Sequence, residues 1–131
     1  MSKYAYVAKL TQDDGHVMVE FPDIPNCFTE GDTLVEALEL AEDVLCMILC
    51  DMEDKTQQTP TPSDIDGIVC EDGELVALVK ADTLSYRKRT NSKSVKKTLT
   101  IPAWLNEMGE KQKVNYSQIL QEALTERFGQ G

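Results

Sequence analysis

The chain has 131 residues, room for one ordinary domain or two small ones. Its formal net charge of −10 and its 41% hydrophobic content describe a globular protein with a modest core and argue against a general nucleic-acid binder. No apolar run approaches ~18 residues and the opening Met-Ser-Lys-Tyr is no signal peptide, so a cytoplasmic protein with no membrane span is expected. The charge is uneven: residues 1–80 carry −14, and residues 81–131 carry +4. An acidic body with a basic tail implies two partners of opposite charge.

The first segments read as an α+β unit. Tyr4 to Leu10 alternates as a strand does, Asp13-Asp14-Gly15 marks a turn, and Val17 to Phe21 is a second strand, giving a hairpin. Pro22 and Pro25 end the pairing because neither has a backbone donor. Phe28-Thr29 begins a short third strand. Thr33 with Glu36 fits a capping box, and Leu34, Ala37, Leu38, Ala41, Leu45, Ile48, Leu49 and Met52 recur at helical spacing. A helix over Thr33–Asp54 follows, with Glu36, Glu39, Glu42 and Asp43 on a solvated face. Gln57 to Asp66 is a loop holding Pro60 and Pro62. Ile68–Cys70 and Leu75–Val79 read as strands joined through Glu71-Asp72-Gly73, the second apolar on both faces as a central strand would be. One helix on a four- or five-stranded sheet is expected for residues 1–84. Ser85 to Ser94 is polar, basic and without periodicity, and reads as a linker.

Residues 95–131 form a different unit. In the strand Val95–Ile101, Val95, Leu99 and Ile101 share one face and Lys96, Thr98 and Thr100 the other, with Lys97 out of place in the apolar phase. Pro102 suits the start of a helix over Ala103–Lys111 that turns Trp104, Leu105 and Met108 inward. Asn115 caps a second helix with Ile119, Leu120, Ala123, Leu124 and Phe128 as its stripe, and Gly129 suits a left-handed position after it. About 35 residues are too few to fold alone without a disulfide, metal or partner. Two chains that pair their strands antiparallel and interlock their helices resolve this. The resulting ribbon fits a DNA major groove and presents Lys96, Thr98 and Thr100, with Lys93 adding attraction to phosphate. The free amides from Asn115 to Ser117 would meet a backbone phosphate. A plain dimerisation ribbon with solvated Lys and Thr is the alternative. Open sheet edges in the first unit leave a further pairing, a dimer of dimers, as an option.

Catalysis is not expected. Asp13 and Asp14 lie in a turn, Asp23 lies between prolines, and His16 is the only imbidazole-bearing residue, so neither a two-metal centre nor a base for a nucleophile is in sight. Cys27, Cys46, Cys50 and Cys70 form no Cys-x-x-Cys pair and read as free thiols. Cys46 and Cys50 lie one helical turn apart, but further ligands are lacking, so no metal or cofactor is expected.

The order strand, Pro102, Trp104-bearing helix, then Asn115-Tyr116-Ser117-Gln118-Ile119-Leu120-Gln121-Glu122-Ala123-Leu124 resembles the ribbon-helix-helix repressors, in particular the tail of HicB-type antitoxins. Phe21-Pro22-Asp23-Ile24-Pro25-Asn26-Cys27, followed by Thr29, Gly31-Asp32-Thr33 and Glu36-Ala37, is similar to that family's signature, although Asn26 stands where the family usually has Gly. The long helix and the proline-rich loop also match, so the resemblance covers nearly the whole chain. It implies a partial, degraded ribonuclease H-like domain that masks a HicA-type toxin, a small basic ribonuclease that cleaves messenger RNA. It also implies a tail that represses its own operon by binding operator double-stranded DNA as a homodimer. Toxin contact is expected through Phe21, Pro22, Asp23, Ile24 and Pro25, with the sheet edges and the acidic helix face as competing surfaces. The prolines would otherwise only shape the way into the helix. A stand-alone ribbon-helix-helix regulator without a toxin is the other reading.

Overall fold

Asp14 and Gly15 take φ values of 47° and 80°, the left-handed pair that a two-residue hairpin turn requires. In the computed structural model, which describes residues 2–129, they join β1 (Lys3–Asp13) to β2 (His16–Glu20). Leu10 stands opposite Val19 and Thr11 opposite Met18, so every second residue of each strand faces the same side. β3 (Phe28–Gly31) continues the meander, with Val19 opposite Thr29. β4 (Glu74–Asp82) pairs with the other side of β1 over nine positions, from Lys3 opposite Asp82 to Thr11 opposite Glu74. The sheet is antiparallel with order β3-β2-β1-β4.

Helix α1 (Leu34–Asp54) covers one face of this sheet. The Thr33 side chain accepts from Glu36 N at 3.1 Å, as the capping box foretells, while the Glu36 carboxylate reaches Asp32 N at 3.4 Å. Ala37, Ala41, Leu45 and Leu49 pack against Tyr6, Ala8, Leu10, Val17, Val19, Val79 and Ala81 in one core. The small residues on α1 allow a close approach. Gly31 marks its limit: a Cβ there would lie 2.7 Å from Ala37 N. On the other face of the sheet Met18, Phe28 and Leu78 are exposed, while Val7, opposite Leu78, is buried.

Three expectations for this unit need correction. Ile68–Cys70 forms no strand. After the proline-rich loop comes a single 3-10 turn (Ile65–Gly67), and beyond it Ile68 is half-buried while Val69 and Cys70 lie exposed. β4 is an edge strand rather than a central one. Its two-sided apolar pattern leaves Leu75 and Leu78 open, because α1 shields only Val79 and Ala81. The stretch read as a linker begins as helix α2 (Thr83–Thr90), and the first unit ends at Thr90. Asp82 caps α2 by accepting from Ser85 N at 3.1 Å.

What holds α2 is a polar network on α1. Glu53 accepts from Tyr4 Oη at 2.8 Å, from Thr83 Oγ1 at 2.9 Å and from Arg87 Nη2 at 3.1 Å. Arg87 also reaches the Cys50 carbonyl at 3.1 Å and pairs with Asp54 at 3.0 Å. Burial alone would raise the Glu53 pKa, but the donors of Tyr4, Thr83 and Arg87 outweigh it and hold the carboxyl below its ordinary value. Burial, then the hydrogen bond to the Glu53 carboxylate, pushes the Tyr4 hydroxyl up to about 12. Farther along, Arg89 pairs with Asp43 at 3.1 Å on the surface and lies over the Tyr86 ring.

The second unit starts at Asn91 and contains α3 (Ala103–Lys111) and α4 (Tyr116–Gly129). Asn115 caps α4, its side chain accepting from Gln118 N at 3.1 Å. Tyr116 folds back to donate to the Asn106 carbonyl at 3.0 Å, filling the space beside Gly109. Val95–Ile101, expected as a strand, takes no regular secondary structure in the single chain and pairs with no other strand among the described residues. Gly129 closes α4 in helical rather than left-handed conformation, while Lys113 after α3 takes φ 54°. Among the described residues of this unit none is buried.

Candidate functional sites

The segment between β2 and β3 is a tight loop. Phe21 N donates to the Cys27 carbonyl at 3.0 Å and Ile24 N to the Phe21 carbonyl at 3.2 Å. Asn26 sits at φ 60°, a conformation that asparagine tolerates better than most residues, so the turn survives without glycine. Phe21, Ile24 and Cys27 are turned into the core, while Pro22 and Pro25 stand exposed. Asp23 is engaged internally: it accepts from Ser63 N at 2.8 Å and from Ser63 Oγ at 2.5 Å. Tyr6 Oη donates to the Pro60 carbonyl at 2.5 Å close by. The expected contact segment Phe21–Pro25 thus divides. Two of its side chains anchor it, one ties it to the proline-rich loop, and the two prolines meet solvent.

Beside this loop the face of the sheet opposite α1 forms a cleft of about 340 Å³. Lys9, Met18, Glu20, Phe28 and Glu74 line it with Pro22 and Pro25. Phe28 is 66% exposed there. Sequence reasoning passed over this neighbourhood. The signal was available in Met18 and Phe28, two large apolar residues in the outward phase of otherwise amphipathic strands.

Chemistry is sparse elsewhere. His16 pairs with Asp32 at 3.1 Å on the surface. Burial drives the Cys27 and Cys46 thiols up to about 11, away from the reactive thiolate. Among the described residues no group of three or more His, Cys, Asp or Glu is placed to hold a metal ion, and no helix is long and apolar enough to cross a membrane.

In the second unit, Lys93, Lys96, Thr98 and Thr100 are all exposed along residues 93–100. The opposite phase behaves differently. Lys97, Leu99 and Ile101 line a hollow of about 490 Å³ with Asn106, Tyr116, Ser117, Ile119, Leu120 and Ala123. Ser117 therefore lies on the apolar side of the segment, at the start of α4, and Lys97 lines the same hollow. Asn115 is committed to its cap. Ile101, Leu105, Met108 and Ile119 border a second open hollow. Trp104 is 62% exposed, and Leu99, Met108, Ile119, Leu124 and Phe128 are likewise open.

A sheet-and-helix domain with an acidic surface, followed by a small two-helix unit with open apolar faces, is an architecture found among toxin–antitoxin proteins. A chain of the Streptococcus pneumoniae toxin-antitoxin complex is 26% identical, covers 95% of this chain and 99% of its own, and superposes with a TM-score of 0.63. The Burkholderia pseudomallei antitoxin HicB shares the fold at 20% identity, with coverage of 95% and 98% and a TM-score of 0.55. Antitoxin HicB 2 of Photorhabdus laumondii is 40% identical over 58 residues, 44% of this chain. The match spans 42% of that relative's length. The model of the family described as HicB_like antitoxin of bacterial toxin-antitoxin system matches residues 5–123. The chain belongs to the HicB-like antitoxin family.

Proposed function

We propose that this chain is a cytoplasmic antitoxin that neutralises a HicA-type toxin, a small basic ribonuclease that cleaves messenger RNA, and represses its own operon. In this reading the domain plan is 1–84 for toxin binding, with α2 added to it, and 95–131 for DNA binding and dimerisation. The observation that carries it is the contrast between the two units: the first is closed and acidic, the second small, basic and open on its apolar side. An acidic body suits electrostatic capture of a basic partner. A unit with no buried residue of its own suits completion by a second copy, as a ribbon-helix-helix homodimer. The chain acts by binding and not by catalysis.

The toxin surface is assigned to the rim of the cleft, Pro22 and Pro25 with Phe28 beside them. Phe21, Asp23 and Ile24 hold the loop in shape. For DNA, Lys96, Thr98 and Thr100 read base edges from the ribbon, Lys93 attracts phosphate, and the start of α4 at Asn115 and Ser117 takes a backbone phosphate.

The test is co-expression with the protein encoded in the neighbouring reading frame, followed by pull-down and a gel shift on the upstream DNA. Capture should fall with Phe28→Glu and Pro25→Asp while the antitoxin stays folded. Thr98→Ala and Thr100→Ala should each reduce operator discrimination by roughly 1–3 kcal/mol per lost base contact. Lys93→Ala should weaken all DNA alike and flatten the salt dependence. A chain that shifts the upstream DNA but has no toxin beside it would be a stand-alone regulator. One that captures a toxin but shifts no DNA would refute the repressor half.

A further inference from the structure

Two loops far apart in sequence are fastened to each other next to the cleft. Asp23 accepts from Ser63 N at 2.8 Å with one carboxylate oxygen and from Ser63 Oγ at 2.5 Å with the other. Three residues earlier, the Pro60 carbonyl accepts from Tyr6 Oη. Tyr6 is 0% exposed, so residues 60–63 are held from the core at one end and from the contact loop at the other. Pro60 and Pro62 have their own φ locked, and each restricts the threonine before it, Thr59 and Thr61, to extended backbone. This stiff stretch lies within the connection of residues 55–73, which is longer than most in a compact domain.

Stability alone does not call for such a tie. Residues 21–27 already have their own backbone bonds, and Phe21, Ile24 and Cys27 lie in the core. Ser63 is exposed, and a bond that water can replace contributes only modestly to folding. What the core and the backbone bonds leave unfixed is the outer side of the loop, where Pro22 and Pro25 stand exposed on either side of Asp23 and Ile24. Asp23 is the one acidic side chain of this loop, and both of its oxygens are engaged by Ser63. A loop shaped in advance avoids the cost of ordering it at the moment of binding.

On the reading of the cleft rim as the toxin surface, we propose that Ser63 and Tyr6 are positioning residues for capture: through residues 60–63 and Asp23 they hold Pro22 and Pro25 in the binding shape before the partner arrives. Asp23 then belongs to the scaffold and makes no contact itself. Tyr6 acts from inside the core, where no partner reaches it. Once the tie opens, only the fraction of chains with the loop in place can capture, and the apparent affinity falls by that fraction.

Biolayer interferometry of the full chain against the protein encoded in the neighbouring reading frame tests this through the association and dissociation rates. Ser63→Ala and Tyr6→Phe should each slow association by roughly three- to tenfold and leave dissociation near the wild-type rate. Ser63→Thr keeps the hydroxyl and should restore most of the loss. Ser63→Ala/Asp23→Ala should associate no more slowly than Asp23→Ala alone, because both changes open the same tie. In the free chain, the Phe21 and Ile24 amides should exchange faster in Ser63→Ala than in the wild type. Ser63 is exposed, so Ser63→Ala carries the test even where Tyr6→Phe impairs folding. Unchanged association in Ser63→Ala would overturn the positioning role and leave the toxin reading standing. Losses that add in the double variant would make Asp23 or Ser63 a direct contact and overturn it as well. A wild-type chain that captures nothing overturns the toxin reading and the positioning role together.

Discussion

Replacing Arg87 with alanine should destabilise the first unit by about 2–3 kcal/mol. Helix α2 has eight residues, fewer than the ~12 that an isolated helix needs to hold in water. It is fixed instead by contacts distant in sequence, and Arg87 makes the most of them. The Arg87 and Glu53 side chains are 23% and 12% exposed, so their pair is largely shielded from solvent. Removing one partner of a fully buried pair costs ~3–5 kcal/mol. Here Tyr4 and Thr83 still donate to Glu53, which lowers the figure. The Asp54 pair is more open and adds only the ~0–1 kcal/mol of a surface bridge. The loss also has a ceiling, because once α2 lifts away Glu53 regains water. Urea unfolding followed by circular dichroism would give the difference, and amide exchange along α2 would locate it. Arg89→Ala is the control: its pair with Asp43 is more than half exposed on both sides, and the cost should be within about 0.5 kcal/mol. Equal shifts for the two variants, or α2 amides that exchange in the wild type as fast as those of residues 92–100, would refute the argument.

Gly31→Ala should cost about 2 kcal/mol, measured by thermal unfolding, because the new Cβ meets the Ala37 backbone and not a flexible side chain. Thr56→Gly should stabilise by about 1 kcal/mol in the same assay, since Thr56 is a β-branched residue held at φ 52° just past α1. The docking of α2 should loosen at both extremes of pH. Glu53 titrates below its ordinary 4.5 in the fold, so its contribution is present above that value and is lost as pH falls through the folded value. Tyr4 titrates at about 12, so its contribution is full below pH 10 and lost between there and 12. Tyr4→Phe should abolish the alkaline limb, and its persistence would assign that limb to another group.

The parts of the fold written in local chemistry were legible. Asp14-Gly15 made its hairpin, Thr33 capped α1, and Asn115 capped α4 where their neighbours required. Misreadings came where the deciding partner was remote. Ile68-Val69-Cys70 looked like a strand, but apolar character cannot supply a neighbour to bond with. β4 looked central because both its phases are apolar, yet a sequence does not show that α1 stops short of Leu75. α2 has almost no apolar rhythm and is held chiefly through an acid 34 residues away, Glu53. Its one local clue was Asp82 three residues before Ser85. In the loop expected to make contact, the sequence did not show that Phe21 and Ile24 are taken up by the core and Asp23 by Ser63.

The openness of the second unit has a consequence for dosage. With no buried side chain between Asn91 and Gly129, one copy of this unit can draw little folding free energy from itself. If a second copy covers it, the concentration of folded pairs follows mass action and rises with the square of the free chain at low abundance, so the folded fraction falls in proportion as the chain becomes scarce. Dilution or proteolysis would then strip the tail of its structure before any single contact weakened. The apolar side chains left bare, Trp104 and Phe128 among them, would mark the unpaired chain for degradation. The length of time a cell keeps this protein would thus be set by how many copies are already present.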